Sequence, residues 1–97
     1  MTKPKNIVCV VHSDPGHGWL AVKTKDLRPL SINDKITQYS YLSNAGTIAY
    51  LEEDCDAPTF VNAAYAAGYS VTIQYKPQTK NRSPIRNYRR FSSTSIK

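Results

Sequence analysis

The chain has 97 residues, 13 Lys and Arg against 7 Asp and Glu, and a formal net charge of +6. That length allows one domain with a small core and leaves no room for a deep cleft between lobes. Apolar residues at 40%, ten aromatics among them, exclude a disordered chain before residue 76, and no apolar run reaches the length of a membrane span.

Residues 7–11 (Ile7, Val8, Cys9, Val10, Val11) are a continuous apolar run, β-branched except at Cys9, which predicts a buried strand. Lys3 and Lys5 precede this run, but it is too short for the apolar stretch of a signal peptide. Ser13-Asp14-Pro15-Gly16 is a turn signal, after which residues 19–23 read as a second strand. Thr24 is placed to cap a short helix that Pro29 ends. Residues 36–42 read as a third strand, and Ser43-Asn44-Ala45-Gly46 turns the chain into a hairpin with residues 47–51.

Asp56 and Pro58 mark a helix start, with Asp56 accepting from the first free N–H groups. Glu52, Glu53 and Asp54 add negative charge where the helix dipole is positive. Ala57, Phe60, Val61, Ala64 and Ala67 recur at helical spacing, and Gly68 ends the run. Residues 69–75 alternate Tyr69, Val71, Ile73 and Tyr75 against Ser70, Thr72 and Gln74, a strand with one buried and one wet face. The order predicts an α+β domain: a small, mostly antiparallel sheet of about five strands with one main helix packed on it. Residues 1–76 form this body and residues 77–97 a basic C-terminal segment.

All of the excess charge lies from Lys76 onward. Lys76, Lys80, Arg82, Arg86, Arg89, Arg90 and Lys97 occur there with no acidic residue, whereas residues 1–75 carry six basic and seven acidic side chains. Ser83 followed by Pro84 is a cap-and-first-turn pair, predicting a short helix over residues 84–91. On such a helix Arg82, Arg86, Arg89 and Arg90 fall within an arc of about 100°, with Ile85, Tyr88 and Phe91 on a separate arc. Guanidinium forks match phosphate and carboxylate bidentately. Lys80, Arg82, Arg86, Arg89 and Arg90, with Tyr88, are therefore the candidate anion-binding residues; the competing reading is a solvated basic tail.

A second constellation is His12, Asp14 and His17 in a glycine-rich turn, with Glu52, Glu53, Asp54 and Cys55 at another strand end. If the two ends adjoin, His12, Asp14, His17 and Glu53 would form a metal or general-base site. The spacing fits no specific metal motif, and turn chemistry and helix capping account for the same residues. No cofactor is expected. Cys55 among carboxylates is a poor nucleophile. Cys9 and Cys55 form no CxxC pair and read as free cytosolic thiols. Tyr39, Tyr41 and Tyr50 read either as sheet packing or, exposed, as a stacking platform.

The segments Asp14-Pro15-Gly16-His17-Gly18-Trp19-Leu20, Tyr39-Ser40-Tyr41, Tyr50-Leu51-Glu52-Glu53-Asp54-Cys55-Asp56-Ala57 and Arg82-Ser83-Pro84-Ile85-Arg86-Asn87-Tyr88 resemble those of a family of small bacteriophage and mobile-element proteins. The resemblance implies a bacterial cytoplasm and an accessory gene product and transfers no catalytic residue. The expected function is a non-enzymatic protein that engages an anionic partner: nucleic acid, nucleoprotein, nucleotide or an acidic protein surface. A host-defence inhibitor, anti-CRISPR action included, fits that setting. The alternative is a small metal-dependent hydrolase or nuclease on His12, Asp14, His17 and Glu53.

Overall fold

The computed structural model describes residues 6–93. It is an α+β fold: one six-stranded, mostly antiparallel sheet carrying one main helix. Strand β1 (Asn6–Ser13) turns through Asp14-Pro15-Gly16 into β2 (Gly18–Lys23), and the two pair antiparallel. A four-residue helix α1 (Thr24–Leu27) follows, then 3-10 turns at Arg28–Leu30 and Asn33–Lys35. The hairpin β3 (Tyr41–Leu42) and β4 (Ile48–Glu52) turns at Gly46, whose φ of 72° suits a residue without Cβ. Helix α2 (Asp56–Ala66) ends at Gly68, φ 87°, and β5 (Ser70–Tyr75) lies parallel to β1. A 3-10 turn over Pro84–Asn87 and a two-residue strand β6 (Arg89–Arg90) complete the order β5-β1-β2-β4-β3-β6.

The sheet's two faces are covered differently. On one, Ile7, Cys9, Leu20, Val22, Leu42, Ala49 and Leu51 pack with Phe60 and Ala64 of α2, alongside Leu27, Ile32 and Ile36. On the other, Trp19, Tyr41 and Ile85 form a second cluster flanked by Tyr50 and Tyr88. That second layer comes from the basic segment, which crosses from one edge of the sheet to the other. Lys76 N–H donates to Val11 C=O, Thr79 N–H to Ser13 C=O and Ser83 N–H to the Asp14 carboxylate. Ile85 then docks on Trp19 and Tyr41, and Phe91, 5% exposed, joins the helix-side core.

Four local readings change. The segment at 84–91 is a 3-10 turn and a strand rather than a helix: Ser83 does cap it, accepting from Ile85 N–H at 3.2 Å, but pairing with β3 then captures Arg89 and Arg90. The third strand is Tyr41–Leu42 only, because Thr37 and Ser40 fold back onto the Asp56 carboxylate. Asp56 is committed there and does not cap α2; Glu52 accepts from Asp54 N–H and Cys55 N–H at the helix entrance. Thr24 is the first residue of α1, and its hydroxyl donates to Gly46 C=O at 3.0 Å.

Candidate functional site

The β1–β2 turn, the end of β4 and the basic strap meet at one end of the sheet. Ser13 pairs with Gly18 and Trp19 with Glu52, and Glu53 N–H donates to Gly18 C=O at 3.2 Å. The two strand ends therefore do adjoin. They do not assemble a metal site: among the described residues no group of three or more His, Cys, Asp or Glu side chains is placed to hold an ion. His12 stands edge-on to Tyr50, with ring centroids 5.8 Å apart. His17 tilts against Trp19 at 6.1 Å, while Glu53 lines a separate hollow with Pro58 and Val61 on the helix side.

Asp14 has another task. Its carboxylate accepts from Gly16 N–H, His17 N–H and Ser83 N–H, and forms a two-pronged pair with Arg86: Nε to Oδ2 at 2.7 Å and Nη2 to Oδ1 at 2.9 Å. The Arg86 fork and the three N–H donors hold the carboxyl well below the ordinary carboxylate range. Its side chain is buried, so the pair is a clamp joining the first turn to the strap.

The arginines consequently do not share one flank. Arg86 is neutralised by Asp14 and lies over the Trp19 ring, 5.5 Å from its centroid. Arg89 and Arg90 are consecutive in β6 and project to opposite faces. Arg89 donates to the carbonyls of Ser43 and Asn44. Arg90 lies 4.8 Å over the Tyr41 ring and donates to Gln38 C=O. Lys80 and Arg82 are exposed on the strap, and Arg82 shares a small hollow with Arg86. Tyr88 is half-buried against Tyr50, centroids 5.3 Å apart; burial and Tyr88 together raise the Tyr50 hydroxyl.

What these elements enclose is an open cleft of about 490 Å3, lined by His17, Trp19, Tyr39, Tyr41, Arg86 and Arg90 together with Glu52, Asp54 and Cys55. Trp19 and Tyr41 are buried under the two guanidinium groups. Tyr39 is different: the residue is 65% exposed. Tyr39 and Tyr41 do not lie on one strand, since Tyr39 sits in the turn before β3. The cleft thus carries both cationic and anionic side chains and one exposed aromatic. Cys55 on its rim is exposed, and desolvation, then the charges of Glu52, Asp56 and Asp54, raise its thiol, which disfavours the nucleophilic thiolate.

Sequence reasoning isolated most of these residues and missed the cleft. The Asp14–Arg86 pair joins positions 72 apart, a separation that leaves no trace in local pattern. Among the described residues no helix is long and apolar enough to cross a membrane. No family model, curated protein or solved structure matches the chain.

Proposed function

We propose that the chain is a non-enzymatic binding module for an anionic partner, and that this partner is a nucleic-acid strand. The observation that carries the reading is the exposed Tyr39 in a cleft it lines with Arg90, whose Arg86 also lines the small hollow that holds Arg82. A base stacks on an exposed aromatic face, its phosphates meet guanidinium and ammonium groups, and its amino protons find carboxylates. The cleft offers Tyr39 for the base, Arg90 for phosphate, and Glu52 and Asp54 for donors, and Arg82 stands in the hollow on the other side of Arg86. Lys80 extends the basic track. Arg86 leaves the set of free contacts, because its charge already serves Asp14.

Four distant segments, those that carry the resemblance to bacteriophage proteins, each contribute a residue to this one cleft. In that setting the module acts in the cytoplasm of a bacterial host, as an inhibitor of a host nucleoprotein or defence complex such as a CRISPR effector. The hydrolase alternative gains no support, because Asp14 is saturated and Glu53 faces a different hollow.

Fluorescence anisotropy with a labelled single-stranded oligonucleotide tests the reading. Binding should weaken between ~50 and ~200 mM salt, with a log–log slope of about −2 for three neutralised phosphates. Tyr39→Ala should weaken it about tenfold. Lys80→Ala, Arg82→Ala and Arg90→Ala combined should abolish the salt-dependent part without unfolding the protein. Unchanged affinity in both variants overturns the proposal. Preference for polyglutamate over the oligonucleotide would replace nucleic acid by an acidic protein surface.

A further inference from the structure

The sheet's other edge carries a feature that the cleft does not explain. Strand β5 (Ser70–Tyr75) is an outer strand, bonded on one side to β1. Its sequence, Ser-Val-Thr-Ile-Gln-Tyr, contains no charge, no proline and no glycine. Edge strands in monomers are usually guarded by lysine, proline, a bulge or a covering element. Here Ile73 is 37% exposed and Tyr75 76% exposed, although the alternation of the strand assigns both to its apolar face.

The hydrogen-bond ladder sets which backbone groups face outward. Lys76 N–H donates to Val11 C=O, so the ladder to β1 uses Lys76 and, by alternation, Gln74, Thr72 and Ser70. The N–H and C=O groups of Val71, Ile73 and Tyr75 therefore point to the open edge. These are also the residues whose side chains lie on the helix side, where Val71 packs against the core. Ser70 and Thr72 face the other way, both donating to Asn6 Oδ1.

We propose that β5 pairs with β5 of a second copy of this chain, antiparallel and centred on Ile73. In that register Ile73 opposes its own mate and Val71 opposes Tyr75 of the other copy. Every outward N–H and C=O of the three residues finds a partner. All the apolar side chains meet on one face, and Thr72 opposes Gln74 on the other. The strand is self-complementary, as an isologous two-fold interface must be. It is also suited to a chain of net charge +6, because the edge is uncharged and lies at the opposite end of the sheet from Arg89 and Arg90. The two-fold axis runs perpendicular to the sheet. Both aromatic faces, with their straps, therefore look to the same side of one continuous sheet of twice the width. The dimer stands whatever the cleft binds.

Two measurements test it. Light scattering after size exclusion, at micromolar concentration, should show a dimer for the unmodified chain. Ile73→Lys sets two like charges opposite each other at the axis and should yield a monomer with unchanged far-UV circular dichroism. Cysteine crosslinking then reads the register without depending on how Ile73→Lys folds. In a Cys55→Ser background, mild oxidation should convert Ile73→Cys to a disulfide dimer, since directly opposed hydrogen-bonded residues have Cα atoms ~5.5 Å apart. Thr72→Cys should crosslink much less. A monomeric unmodified chain, larger open-ended assemblies, a dimer that survives Ile73→Lys, or faster crosslinking through Thr72→Cys would each overturn the proposal.

Discussion

At Asp14 four residues give donors to a single carboxylate, and two of them, Ser83 and Arg86, belong to the far end of the chain. Sequence alone recognises Asp14-Pro15-Gly16 as a turn, and the Asp14 bonds to Gly16 and His17 N–H are that turn. The bonds to Ser83 and Arg86 are tertiary, and they convert a turn residue into a clamp. Asp14→Asn keeps the shape but removes the charge, so Arg86 is left without its counter-ion. The expected result is a fall in Tm on the order of 10 °C. The pH dependence has a definite sign. A carboxyl held below its ordinary value contributes stability that is complete above about pH 4 and is lost as pH falls further toward the folded value. His12 acts earlier: burial, then the charge of Lys76, lowers its folded pKa. The unfolded chain therefore takes up that proton first, and stability declines as pH falls below about 6.5. Thermal melts of Asp14→Asn against pH should keep the loss that begins near 6 and blunt the loss below about 4. An unaltered acid limb would show that Asp14 is not the group responsible.

Helix α2 shows how an element can be read correctly while one of its residues is misassigned. Its apolar spacing predicted the buried stripe, and Phe60 and Ala64 are buried as that spacing requires. Asp56 was assigned to the helix's own N–H groups by a rule that knows only local sequence. In the fold its Oδ2 receives Thr37 N–H, the Thr37 hydroxyl and the Ser40 hydroxyl, and Ser40 Oγ also accepts from Glu52 N–H at 2.9 Å. These bonds tie the helix entrance to the loop before β3, and that loop carries Tyr39 into the cleft. The same bonds explain why residues 36–40 do not extend as a strand: their polar groups have a better acceptor than a neighbouring ladder. Asp56→Ala strands these buried donors and should cost about 3 kcal/mol in urea denaturation. Asp56→Asn retains an acceptor oxygen and should cost less. Equal losses would show that packing, not hydrogen bonding, holds the junction.

At the scale of the whole molecule the decisive element is the basic strap, which leaves the β5 edge and returns as the opposite edge strand, β6. It supplies Ile85 to the aromatic layer and Phe91 to the helix-side core, each 5% exposed. Phe91→Ala should therefore destabilise the fold by about 3 kcal/mol, measured as a lower urea midpoint with an unchanged slope. A negligible shift would mean the strap is not part of the cooperative unit. Charge asymmetry, strands β1, β2, β4 and β5, the turn at Gly46 and helix α2 were legible in the chain, because each rests on local pattern. Period-2 and period-3.6 burial, turn glycines and capping pairs are local physics. The strap was legible only as a charged segment with interleaved aromatics. Its helical projection put four arginines on one flank, whereas the partners available in space put Arg86 on Asp14 and set Arg89 and Arg90 back to back. Local sequence thus determined strands β1, β2, β4 and β5, helix α2, the turns at Asp14 and Gly46, and where the positive charge resides. Only the folded chain decided which of those charges are internally neutralised and where the cleft opens, because ion pairs and edge pairing are chosen by proximity between residues up to 72 positions apart.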